Sequence, residues 1–141
     1  MGATWMTSEN RLMDIDNYVH FLDALFEKEL KAFPRVPVTL LGFSQGCATA
    51  CRWAVMGEKI KFNKLILWAG LFPPDMDFKT GHKMLVSKKT FMVMGDRDPY
   101  LTTERMKEFD QLAAQLGILP EKITFSGKHE ISEEVFPQLI G

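Results

Sequence analysis

Apolar residues recur every three or four positions, from Leu12 through Ile15, Val19, Leu22, Phe26 and Leu30 to Phe33. That period belongs to one face of a helix and predicts one long amphipathic helix over residues 8–33. Thr7 or Ser8 is placed to cap it, Glu9 suits its positive N-terminal end, and Pro34 and Pro37 end it. The pattern then changes. Residues 38–43 (VTLLGF), 65–69 (LILWA) and 90–94 (TFMVM) are short, almost wholly apolar runs. Such runs read as strands of a parallel sheet covered on both faces. Residues 122–126 (KITFS) predict a fourth strand. Helices are expected between them at 45–56, stopped by Gly57, and at 103–116, with Gly117 at its C-cap. Residues 72–89, with Pro73, Pro74 and Gly81, read as a loop with room for a short helix. Ser132 followed by Glu133 and Glu134 predicts a last helix that Pro137 shortens or kinks.

Alternating strands and helices predict an α/β protein, a three-layer α/β/α sandwich with a mainly parallel sheet. The 141 residues fit a single domain, 1–141, with no repeat or linker. A chain of this length can bury roughly 70% of its unfolded surface. Seventeen basic residues against eighteen acidic ones leave a net charge of −1, too little basic excess for nucleic-acid binding. No apolar run is long enough for a membrane span. The start MGATWMTSENR lacks the pattern of a secretory signal, and Met6 breaks the myristoylation pattern. Cys47 and Cys51 lie one helical turn apart with no zinc-ligand spacing, so they read as reduced core thiols, suited to the cytoplasm. No metal or other cofactor is implied.

The chemistry concentrates in three places. Gly42-Phe43-Ser44-Gln45-Gly46 lies where a strand ends and a helix begins, and it matches the G-x-S-x-G nucleophile elbow. Such a turn exposes the Ser44 hydroxyl, calls for glycine at 42 and 46 because larger side chains there would collide with the neighbouring strand and helix, and aims the Gln45 N–H at a developing oxyanion. The plainer alternative is a strand–helix turn in which Ser44 only caps the helix. A serine nucleophile needs a base, and the base needs an acid to orient it. In this architecture the chain order is serine, acid, histidine. His20 precedes Ser44 and His82 precedes the acids, which leaves His129, in a loop after the fourth strand. The acid belongs just after the third strand, where Gly95-Asp96-Arg97-Asp98-Pro99 offers Asp96 and Asp98. The one that does not orient His129 would cap a turn or pair with Arg97.

The chain resembles the phospholipase/carboxylesterase group of α/β-hydrolases, which contains the acyl-protein thioesterases. The resemblance rests on LLGFSQGCATACRWA around Ser44, MGDRDPYL around Asp98 and Gly-Lys-His at His129. It implies Asp98, the aspartate before proline, as the acid. It also implies hydrolysis of a small ester or thioester substrate through an acyl-serine, with no cofactor. Members of the group carry further strands before the long helix, and a loop after one of them donates a second oxyanion N–H. Here the long helix starts close to Met1, so the chain is expected to be the C-terminal part of a hydrolase, a shortened product or a fragment. Strand 38–43 would then lie at a sheet edge, a template for pairing, and a homodimer through that edge is expected. Phe72, Met76 and Phe78 are candidates to line an acyl pocket. Two rivals stay open: a hydrolase-like domain that binds or dimerises without turnover, and other acyl chemistry on the same scaffold.

Overall fold

A computed structural model describes residues 11–140. The element order is α1 (Arg11–Leu30), β1 (Thr39–Phe43), α2 (Gly46–Met56), β2 (Lys64–Trp68), α3 (Phe78–Leu85), β3 (Lys89–Gly95), α4 (Thr103–Leu116), β4 (Glu121–Phe125) and α5 (Phe136–Ile140). The expected caps Thr7, Ser8 and Glu9 lie outside the described residues. The first helix stops at Leu30, not Phe33, because Pro34 disfavours helical backbone at the residue before it.

All four strands are parallel, in the order β1-β2-β3-β4. Right-handed crossovers that step in one direction along a sheet put their helices on one face. The core divides accordingly. Leu40, Leu65, Leu67 and Met92 face the buried sides of α2, α3 and α4. Ile66, Trp68 and Val93 face the other way, where the cover is Leu139 of α5 with Val135 and Phe136. The layers are therefore α/β/α, and among the described residues the second helical layer is the five-residue α5.

β2 is central and buried along four of its five residues. β1 is hydrogen-bonded to β2 alone and buries only alternate residues, so among the described residues it is an edge strand. The expected last helix starts later than residue 132. The Ser132 hydroxyl instead accepts from the N–H groups of Glu134 and Val135, closing a turn. Pro137 sits in the first turn of α5, where no N–H is needed.

The register brings the strand ends together. Phe43 pairs with Trp68, Trp68 with Val93, and Gly95 with Phe125. The ladder runs one step further, since Ser44 N–H donates to Trp68 O at 2.8 Å, Ala69 N–H to Val93 O at 2.7 Å and Asp96 N–H to Phe125 O at 2.8 Å. The segments after β1, β3 and β4 thus leave the sheet side by side at its C-terminal edge, the usual ligand side of such sheets.

Candidate active site

Among the described residues Ser44 is one of two non-glycine residues with positive φ, at 57°; the other is Ala69, at 56°. The left-handed conformation costs an L-residue about 1–2 kcal/mol, so packing must hold it. Gly42 is part of that packing. A Cβ there would lie 2.5 Å from Gly46 O and 2.7 Å from Cys47 Cα. A Cβ at Gly70, beyond β2, would collide with Ser44 O. Gly46 differs from expectation: a Cβ there meets nothing within 4 Å. Only the first glycine of the motif is required by close approach among the described residues.

Cys47 supports the turn from below. Its thiol donates to Gly42 O at 3.2 Å and lies 3.5 Å from Trp68 O. Burial pushes it up to about 12, against the hydrogen bonds to backbone of Trp68 and Ser44, so it is a neutral thiol at pH 7. Burial raises the Cys51 thiol as well. Both are fully buried.

A continuous chain of hydrogen bonds leads away from Ser44. Its Oγ lies 2.9 Å from His129 Nε2. His129 Nδ1 lies 2.8 Å from Asp98 Oδ2. A carboxylate only accepts, so Nδ1 carries the proton and Nε2 is free to accept from the serine hydroxyl. The other Asp98 oxygen accepts from Tyr100 N–H at 2.9 Å. The Asp98 side chain is fully buried, and that of His129 is 21% exposed. Two rings flank the imidazole, Phe43 at 5.0 Å and Tyr100 at 4.6 Å between centroids. Neither contact was visible as a motif in the sequence.

Asp96 does something else. Its Oδ1 accepts from Gly127 N–H at 3.1 Å, while Arg97 N–H donates to Gly127 O at 2.8 Å. These bonds pin the loop that carries His129. A Cβ at Gly95 would run into the Gly127 and Lys128 carbonyls, so that glycine lets loop and strand end touch. The other two histidines are elsewhere: His20 is exposed beside Asp16, and His82 Nδ1 bonds Leu116 O.

Ser44 and His129 open onto a depression of about 740 Å³, also lined by Gln45, Phe72, Tyr100 and Leu101. The Gln45 N–H, at the N-cap of α2, makes no hydrogen bond among the described residues. Of the three expected pocket residues only Phe72 lines this depression, and it also stacks on Phe109 at 4.9 Å. Met76 and Phe78 do not. The chain turns away after Pro73 and Pro74, Asp77 caps α3, and both side chains pack into the core between the helices. Among the described residues no cluster of metal-ligand type is present, and no helix is long and apolar enough to cross a membrane.

Comparison with known proteins agrees with this architecture. Zea mays acyl-protein thioesterase 2 superposes with a TM-score of 0.66 at 15% identity, over 89% of this chain and 62% of its own. A Bacillus cereus carboxylesterase gives 0.64 at 17%, over 87% and 57%. An uncharacterised Bacillus cereus protein gives 0.66 at 22%, over 90% and 42%. The chain thus spans between 42% and 62% of the length of these structures, which share the α/β-hydrolase fold with it. No curated protein matches the sequence. Residues 3–134 match the FSH1 serine hydrolase family, and the chain belongs to that family.

Proposed function

We propose that the chain hydrolyses carboxylic esters or thioesters through an acyl-serine, with Ser44, His129 and Asp98 as its triad. The observation that carries this reading is the unbroken relay from Asp98 Oδ2 through His129 to Ser44 Oγ, at 2.8 and 2.9 Å, opening on a depression. In the first step Ser44 Oγ bonds to the acyl carbon and its proton passes to His129 Nε2. Asp98 stabilises the imidazolium so formed. The Gln45 N–H supports the oxyanion. The bond from the acyl carbon to the leaving oxygen or sulfur then breaks, and that atom takes the proton from Nε2. Water reverses the sequence: it bonds to the acyl carbon, gives a proton to Nε2, and Ser44 leaves with that proton, releasing the acid. Every proton in this cycle moves between substrate, water and named side chains.

Steady-state hydrolysis of p-nitrophenyl acetate and of an acyl thioester tests the proposal. Ser44→Ala is expected to lower kcat by about 10³-fold or more. Hydrolysis that is unchanged in that variant would remove the proposal.

One observation favours a second reading, a domain that associates rather than turns over: among the described residues β1 is hydrogen-bonded on one side only. A second copy pairing along that edge would form a two-fold dimer. Light scattering at micromolar concentration decides it, with a monomer mass counting against it. A cytoplasmic location is part of the proposal, supported by two buried free thiols.

A further inference from the structure

Two arginines, Arg52 and Arg105, line the depression that holds Ser44, and among the described residues no Asp or Glu does. The two arginines differ. The Arg52 side chain is 10% exposed and donates to Asp75 Oδ1 at 3.0 Å and to the Tyr18 hydroxyl at 3.3 Å. Its charge is compensated. Arg105 is exposed, and only its backbone N–H is engaged, by the Thr102 hydroxyl that caps α4. Its side chain makes no ion pair or hydrogen bond among the described residues. The depression also receives the first turns of two helices, α2 at Gln45 and α4 at Arg105. Helix N-termini add positive potential. Leu71, Phe72, Pro73 and Leu101 give the same depression an apolar lining.

A depression that holds a nucleophile, an apolar lining and an arginine without an ion pair among the described residues suits an acyl chain that ends in an anion. The planar guanidinium fork matches a carboxylate in two parallel hydrogen bonds. We propose that Arg105 is a specificity-determining residue, and that the acyl group taken by this site ends in a carboxylate. The substrates are then hemiesters or monothioesters of dicarboxylic acids. This rests on the hydrolytic reading of Ser44 and narrows it.

The experiment compares p-nitrophenyl hemiglutarate with p-nitrophenyl valerate, which has the same leaving group and a neutral acyl chain of the same length. At low salt the hemiester is expected to be preferred in kcat/KM by about fivefold or more, mainly through KM. The preference should fall about fivefold in Arg105→Gln, be partly kept in Arg105→Lys, and shrink in 0.5 M salt as screening predicts. Equal rates for the two esters, or a preference that survives in Arg105→Gln, overturn the proposal while leaving the hydrolase reading intact. If neither ester is hydrolysed, the hydrolase reading fails, and glutarate binding to the whole chain decides the rest. A saturable shift of the Arg105 side-chain NMR signal with glutarate, and none with glutaramide, supports the carboxylate site; no shift with glutarate refutes it.

Discussion

Replacing Gly42 and Gly46 by alanine, one at a time, separates two glycines that the motif treats as equals. A Cβ at Gly42 would sit 2.5 Å from Gly46 O and 2.7 Å from both Gly46 C and Cys47 Cα. Real Cβ contacts essentially never fall below 3.0 Å, so the strand end and the start of α2 must separate by about half an ångström. All three atoms are backbone, so no side chain can swing aside. Overpacking costs typically about 1–3 kcal/mol, and a backbone wall puts Gly42→Ala at the upper end. For a domain of this size that lowers Tm by roughly 5–10 °C. Ser44, two residues on, moves with the turn, and a misplacement of that order costs at least about tenfold in rate. Gly46→Ala puts its methyl into open space at the first position of a helix. Alanine is favoured over glycine in helices by up to about 1 kcal/mol, so this variant should melt at the same temperature or a few degrees higher. Differential scanning calorimetry of both variants, with rates measured alongside, is sufficient. Equal destabilisation by the two would mean that another surface covers Gly46 and that the close approach at Gly42 does not set the difference.

Three further predictions concern other parts of the molecule. Asp23 is nearly buried and accepts from Glu58 N–H at 2.7 Å and Trp53 Nε1–H at 2.9 Å, so Asp23→Ala should cost about 2–4 kcal/mol in urea unfolding at pH 7. Burial pushes that carboxyl up, but the N–H donors of Glu58, Trp53, Lys59 and Ile60 outweigh it and hold it below 3.8. The part of this stabilisation that depends on the charge is complete above the unfolded pKa and is lost as pH falls through the folded one, so the gap between wild type and Asp23→Ala should be flat from pH 7 to 5 and begin to narrow below about pH 4. Cys47 and Cys51 should resist iodoacetamide at pH 8 until the chain is unfolded, as mass spectrometry would show; alkylation of the folded chain would contradict their burial. Asp98→Asn should lower ester hydrolysis by about 10³–10⁴-fold while Asp96→Asn, which loosens the loop through Gly127, should cost much less.

The alternation of elements was legible because three strands are apolar runs, and such runs have one stable place in a sheet between helical layers. β4 was harder. It lies at the other edge and is mostly exposed, so its pattern is weak. Boundaries moved where a local conformation decided them. Residues 65–69 read as one apolar run, yet β2 stops at Trp68 because Ala69 adopts positive φ. Ser132 signalled a helix start, but its hydroxyl closes a turn before Pro137 instead. At the candidate site, chain order pointed to Ser44 and His129, whose Oγ and Nε2 lie 2.9 Å apart. It could not choose between Asp96 and Asp98, which differ by two positions and point to different partners. The pocket was least legible: Phe72, Met76 and Phe78 are alike in type, and only the turn at Pro73-Pro74 decides which of them faces the depression. Arg105 carried no sequence signal, since an arginine on an exposed helix turn is ordinary until its surroundings are known.

In the proposed mechanism His129, held by Asp98, activates the hydroxyl of Ser44. Incubation with a fluorophosphonate, followed by peptide mass spectrometry, tests it most directly. A single adduct on Ser44 is expected, formed rapidly in the wild-type chain and slowed by several orders of magnitude in His129→Ala. No adduct on Ser44, or one that forms equally fast without the imidazole, would contradict it.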